Sequence, residues 1–145
     1  MDEIKFITSD FSTVLALPFA DGGIRAGFPS PAQDYVDLSL DLNRDLIQNP
    51  AATFYAKVIG DSMKDAGILP GDLLVIDRSV EAYDGCKAVC FLNGEFTVKE
   101  LDFHDKAHGI IWLKPYNEEY EPIKVTKEME LTIWGVVTYV IHKTI

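Results

Sequence analysis

Ser62, in Gly60-Asp61-Ser62-Met63, and Lys99, in Glu95-Phe96-Thr97-Val98-Lys99-Glu100-Leu101, stand 37 positions apart, and a small-residue pair, Ala26-Gly27, precedes both. These features read as a nucleophile, a base and a peptide to be cut. A serine hydroxyl is a weak nucleophile until a base takes its proton, and a lysine does so only as a neutral amine. Burial disfavours the charged amine, so such a lysine has to be shielded from water. Period-two alternation along 95–101 puts Phe96 and Val98 on one face and Thr97, Lys99 and Leu101 on the other, and covering both faces would desolvate the lysine. At 26–27, small side chains let a backbone approach Ser62 closely, and glycine permits a turn that other residues resist.

Each residue alone carries little. A serine after Gly-Asp often only begins a turn or caps a helix, and a lysine in a strand is usually solvated or guards an edge. Other chemistries fit the spacing less well. His104 and His108 lie in a polar stretch and His142 near the C-terminus, none placed for a Ser-His-Asp triad. Neither a Gly-x-Ser-x-Gly elbow nor a Ser-x-x-Lys signature surrounds Ser62. His104 and His108 are four apart but have no further ligand cluster, so neither a metal nor a cofactor is expected. Glu118, Glu119 and Glu121 read as a solvated acidic loop, and Trp112 and Trp134 as packing residues in β-like runs.

The elements that must position the pair are mostly strands. β-type runs cover Phe54 to Ile59, Leu73 to Asp77, Ala88 to Leu92, Phe96 to Leu101, Ile110 to Leu113 and Leu131 to Ile141. Pro70-Gly71-Asp72, Asp84-Gly85, Asn93-Gly94 and Pro115-Tyr116-Asn117 punctuate them. Asn93-Gly94 predicts a two-residue hairpin turn, with Lys99 on its second strand. Across Gly60, a turn into a short helix from Ser62 to Ala66, ended by Gly67, would leave the backbone N–H groups of Asp61 and Ser62 free to hold an oxyanion. A short helix capped by Asp41 is expected before Pro50. The prolines of Phe28-Pro29-Ser30-Pro31 favour an extended chain suited to a cleft.

Residues 1–50 carry 8 acidic and 3 basic side chains and little continuous periodicity, which suggests an N-terminal arm followed by a β body over 51–145. The 145 residues, 48% hydrophobic and 25% charged, suffice for one real core. A formal charge of −10, from 23 acidic against 13 basic residues, repels a phosphate backbone, so direct DNA binding is not expected. No apolar run approaches the ~18–20 residues of a membrane span, and Met1-Asp2-Glu3 lacks a basic n-region, making the cytoplasm the expected compartment. Cys86 and Cys90, roughly 13 Å apart if in one strand at about 3.3 Å per residue, are expected as free thiols.

With these residues assembled, the chain resembles the UmuD branch of the LexA-type self-cleaving proteins over nearly its whole length. The resemblance rests on Ala26-Gly27-Phe28-Pro29-Ser30-Pro31, Asp41-Leu42-Asn43, Gly60-Asp61-Ser62-Met63, Gly71-Asp72-Leu73-Leu74, Gly94-Glu95-Phe96-Thr97-Val98-Lys99 and Trp134-Gly135-Val136-Val137. It implies a mainly β fold, a compact body of twisted antiparallel strands with a flexible N-terminal arm and one or two short helices. It also implies that Ser62 is the nucleophile, Lys99 the general base and Ala26–Gly27 the bond cut in self-cleavage. The implied partners are a second copy of the chain, a RecA–single-stranded DNA filament as trigger, and the catalytic subunit of an error-prone Y-family polymerase served by the cleaved product during the SOS response. UmuD proteins often have Cys-Gly at the cut, where this chain has the Ala-Gly familiar from LexA-type repressors. The stretch before Ala26 is too short and too acidic for a repressor's helix-turn-helix domain, which makes a repressor fragment the poorer fit. A non-cleaving dimeric docking module and a signal-peptidase-like enzyme are the remaining rivals.

Overall fold

A computed structural model describes residues 3–7, 16–19 and 38–145. These fall into two units, one made of residues 3–7 with 51–145 and the other of the described residues between 16 and 50. In the smaller unit, β2 (Ala16–Phe19) pairs antiparallel with β3 (Leu38–Asp41), and α1 (Leu42–Asp45) follows. Asp41 caps α1 as its sequence predicts: its carboxylate accepts from Asn43 N at 3.0 Å, and its own N–H donates to Asp45 Oδ2 at 2.9 Å.

The larger unit is one antiparallel sheet of eight strands, the mainly β body expected of the sequence. They are β1 (Ile4–Ile7), β4 (Thr53–Val58), β5 (Leu73–Asp77), β6 (Lys87–Leu92), β7 (Glu95–Asp102), β8 (Ile111–Lys114), β9 (Ile123–Val125) and β10 (Leu131–Ile141). Their order across the sheet is β1-β4-β5-β10-β6-β7-β8-β9. Asn93, at φ 49°, and Gly94, at φ 88°, turn β6 into β7 with Leu92 opposite Glu95, the hairpin that Asn-Gly encodes. β1 lies inside the stretch whose composition suggests an arm, yet it pairs with β4 from Ile4 opposite Val58 to Ile7 opposite Tyr55.

Strand β10 lets this sheet curl. Its first half pairs with β6 and its second with β5, and the register slips between Ile133 and Gly135 and again between Val137 and Tyr139. Such bulges bend a strand and increase its twist. Gly135 is required at the first slip, because a Cβ there would stand 2.6 Å from Ile76 Cγ2. Apolar residues form two clusters. Ile4, Ala56, Val58, Met63, Leu74, Ile76, Val89 and Val98 belong to one, and Cys86, Ala88, Cys90, Leu101, Leu113, Val125 and Val136 to the other. β7 therefore gives Val98 to the first and Leu101 to the second, with Lys99 between them.

Candidate active site

β4 and β7 are separated by three strands in the sheet order, and the curl of the sheet brings the turn after β4 against β7. After Val58 the chain leaves β4 through Ile59-Gly60-Asp61 and enters a tight turn. The helix expected from Ser62 to Ala66 is a single 3₁₀ turn, Lys64–Ala66, closed by Gly67 at φ 81°. Five residues ending in a left-handed glycine are too few to propagate α-helical hydrogen bonds. This geometry presents Ser62, 2% exposed, toward β7.

Lys99 meets it there. Lys99 is 3% exposed, and its amine lies 2.8 Å from Ser62 Oγ, 2.6 Å from Thr97 Oγ1 and 3.1 Å from the Val98 carbonyl oxygen. Two residues 37 positions apart thus share a buried hydrogen bond. The backbone N–H groups of Asp61 and Ser62 donate to no acceptor among the described residues. Ala26 and Gly27 lie outside the described residues.

The turn is held in place by the loop after β8, which reads from sequence only as a turn and an acidic patch. Tyr116 N donates to the Ser62 carbonyl at 2.8 Å, and Asp65 N to the Tyr116 carbonyl at 2.8 Å. The buried Asn117 side chain donates to the Asp61 carbonyl at 3.0 Å and accepts from Glu119 N at 3.0 Å. Tyr120 Oη donates to Asp61 Oδ1 at 2.7 Å. Glu118, Glu119 and Glu121 are exposed, as expected, so Tyr116, Asn117 and Tyr120 are the positioning residues that the acidic neighbours conceal.

A fourth residue, Glu3, is likewise not legible in the sequence as part of the site. Glu3 Oε2 lies 3.0 Å from Lys99 Nζ and accepts from Thr97 Oγ1 at 2.6 Å and from Val98 N at 3.2 Å. Burial alone would push this carboxyl up. The hydrogen bond from Thr97, the charge of Lys99, and hydrogen bonds from Ser62 and Lys99 outweigh it and hold Glu3 below the ordinary 4.5. Glu3, Thr97, Lys99, Phe96, Leu92 and Tyr120 are among the residues lining a cavity of about 230 Å³ beside the pair.

The other singled-out residues lie apart from this site. His104 Nδ1 is 2.7 Å from Asp102 and its Nε2 3.1 Å from Asp105, which His108 approaches at 3.8 Å. The hydrogen bond to Asp102 raises the His104 pKa. No group of three or more His, Cys, Asp or Glu arranged for a metal occurs among the described residues. His142 Nδ1 pairs at 2.6 Å with Asp72, a buried carboxylate that also accepts from Leu69 N. Trp134 packs against Phe6, Phe54 and Phe96 under the Arg78 guanidinium, and Trp112 stacks on His104 and donates to Asp105. Cys86 and Cys90 are buried free thiols, as expected. Burial pushes the Cys90 pKa up to about 12, against the pull of Lys99 and with a small addition from Cys86. No helix among the described residues is long and apolar enough to cross a membrane.

Comparison with known proteins places this geometry in context. The Peptidase S24-like family model matches residues 18–138. The chain is 46% identical to Protein SamA of Salmonella typhimurium strain LT2 over 119 residues, covering 82% of this chain and 80% of that one. It is 39% identical to Protein MucA of Escherichia coli over 135 residues, covering 92% and 90%. It is also 37% identical to the LexA repressor of Shewanella denitrificans over 140 residues, covering 96% of this chain and 66% of the repressor.

Proposed function

Because the chain belongs to the Peptidase S24-like family, we propose that it is a self-cleaving serine peptidase of the SOS mutagenesis response, with Ser62 as nucleophile and Lys99 as general base. The observation that carries this reading is the 2.8 Å contact between the Ser62 hydroxyl and the Lys99 amine, both shut off from water. A buried lysine is costly to a fold, and one aimed at a buried serine has a chemical use.

In the proposed reaction the substrate is the chain's own Ala26–Gly27 bond. Ser62 Oγ attacks the Ala26 carbonyl carbon as its proton passes to the neutral Lys99 amine. The oxygen that becomes negative takes hydrogen bonds from the Asp61 and Ser62 N–H groups. The C–N bond then breaks, and Lys99 returns the proton to the departing Gly27 nitrogen. Water hydrolyses the ester on Ser62, so each turnover consumes one water and frees the enzyme side chains. The positions of Tyr116, Asn117 and Tyr120 around the Asp61–Ser62 backbone support this role, since a preorganised site needs its donors fixed before charge develops.

A RecA–single-stranded DNA filament favours the cleaving conformer and contributes no catalytic group. The processed product is a homodimeric accessory subunit of an error-prone Y-family polymerase, working in the cytoplasm without contacting DNA through its own acidic surface. Incubating the purified protein with an activated RecA filament tests this: two fragments are expected where the untreated sample stays largely whole. A chain that remains intact while a known substrate is processed in the same tube would instead favour the non-cleaving docking module.

A further inference from the structure

Glu3 is a partly buried carboxylate in contact with the proposed base, and the reaction gives it nothing to do. It does not reach the site as a loose end. Its N–H donates to the Phe96 carbonyl at 3.3 Å, and its carbonyl accepts from the N–H groups of Ile59 and Gly60. This backbone therefore bridges the end of β4 and the start of β7 directly beside Ser62, as an extended peptide would. The seat continues into β1. Ile4 is 4% exposed in the first core cluster, and the Phe6 ring lies 4.7 Å from Phe96 and 4.5 Å from Trp134. Gly60 accommodates the arrangement, since a Cβ there would approach Glu3 Cγ to 3.2 Å.

The chemistry of the contact opposes catalysis. With Glu3 in place, Lys99 Nζ faces four oxygens, from Glu3, Ser62, Thr97 and Val98, and an ammonium has three protons to give them. A carboxylate 3.0 Å away takes one of those hydrogen bonds and competes with Ser62 for the amine. A general base needs the opposite, a free lone pair aimed at the hydroxyl. The Glu3 backbone also fills space that any peptide entering beside Ser62 would need.

We propose that Glu3 is an intramolecular inhibitor of Ser62 and Lys99, carried by β1 as a pseudo-substrate strand, and that its withdrawal from the cleft precedes self-cleavage. The ligand class of this seat is an extended peptide bearing a carboxylate. The inference rests on the peptidase reading above.

The test is the rate of self-cleavage without RecA, at one fixed near-neutral pH, of the full chain and its Glu3→Gln and Glu3→Ala variants. Gln keeps the size and removes the charge; Ala removes the side chain and leaves the strand's backbone hydrogen bonds. Both variants are expected to cut themselves about tenfold faster or more than the parent. A rate equal to or below the parent's in both would overturn the inhibitor. Two further arms separate this from failure of the peptidase reading. If the parent is not cut even with activated RecA, or if Glu3→Gln combined with Ser62→Ala is cut as fast as Glu3→Gln alone, the peptidase reading fails.

Discussion

Lys99 stands on β7 between Val98 of one apolar cluster and Leu101 of the other, and its amine lies within hydrogen-bond distance of four oxygens. The nature of those neighbours decides what it can do: Ser62 offers a proton, Glu3 asks for one. The Glu3 carboxyl, held below 4.5 by its partners, also links the seat to pH. A depressed carboxyl stabilises the docked arrangement above its free value, and that contribution is lost as pH falls from about 4.5 through the lowered one. Lys99, Thr97 and Ser62 bond its carboxylate, Glu95, Tyr120 and Glu121 line the same cavity, and both Lys99 and Tyr120 interact with its charge. We therefore expect acidification below 4.5 to loosen β1 and change the emission of Trp134, against which Phe6 packs. Glu3→Gln should flatten that change; an identical acid response in the variant would exclude Glu3 as its source. A serine after a Gly-Asp turn and a strand lysine after a hairpin each say little as local patterns; their combination and the family resemblance single out Ser62 and Lys99. Glu3, 96 positions from Lys99, gave no such signal, since an acidic residue near a chain end ordinarily signifies only solubility.

Among the elements, β10 bears the geometry of the site, because its bulges curl the sheet enough for the turn after β4 to meet β7. Gly135→Ala should force a methyl against Ile76 Cγ2 and lower stability by about 1–3 kcal/mol, the usual cost of overpacking a core. Chemical denaturation measures it, and a loss under about 0.5 kcal/mol would mean that the strand relaxes freely. The strand itself was readable from Leu131 to Ile141 to the residue. Its bulges were not, because glycine within an apolar run is compatible with several backbone paths. β1 and β9, at four and three residues, are too short for alternation to register. Tertiary pairing makes them strands: β1 by lying on β4, β9 by lying on β8. The 115–121 loop shows the same limit, since Asn117 belongs to the site only through its hydrogen bond to a backbone 56 positions earlier.

For the chain as a whole, strand-like runs punctuated by turn residues point to a β body, and the curled antiparallel sheet agrees. The division in space is less simple than one boundary after residue 50, because residues 3–7 belong with 51–145. The arrangement suits a switch in which the N-terminal segment supplies both a strand that occupies the site and, in our reading, the bond the site cuts. The full chain's formal charge of −10 opposes approach to a phosphate backbone. The most direct measurement is intact-mass spectrometry of the chain and its Ser62→Ala and Lys99→Ala variants, held without RecA at about pH 10, where amines shed protons. The parent should yield two fragments that meet between Ala26 and Gly27 and together exceed its mass by one water, while both variants stay whole and folded. The same two fragments from Ser62→Ala, in equal yield, would contradict the account.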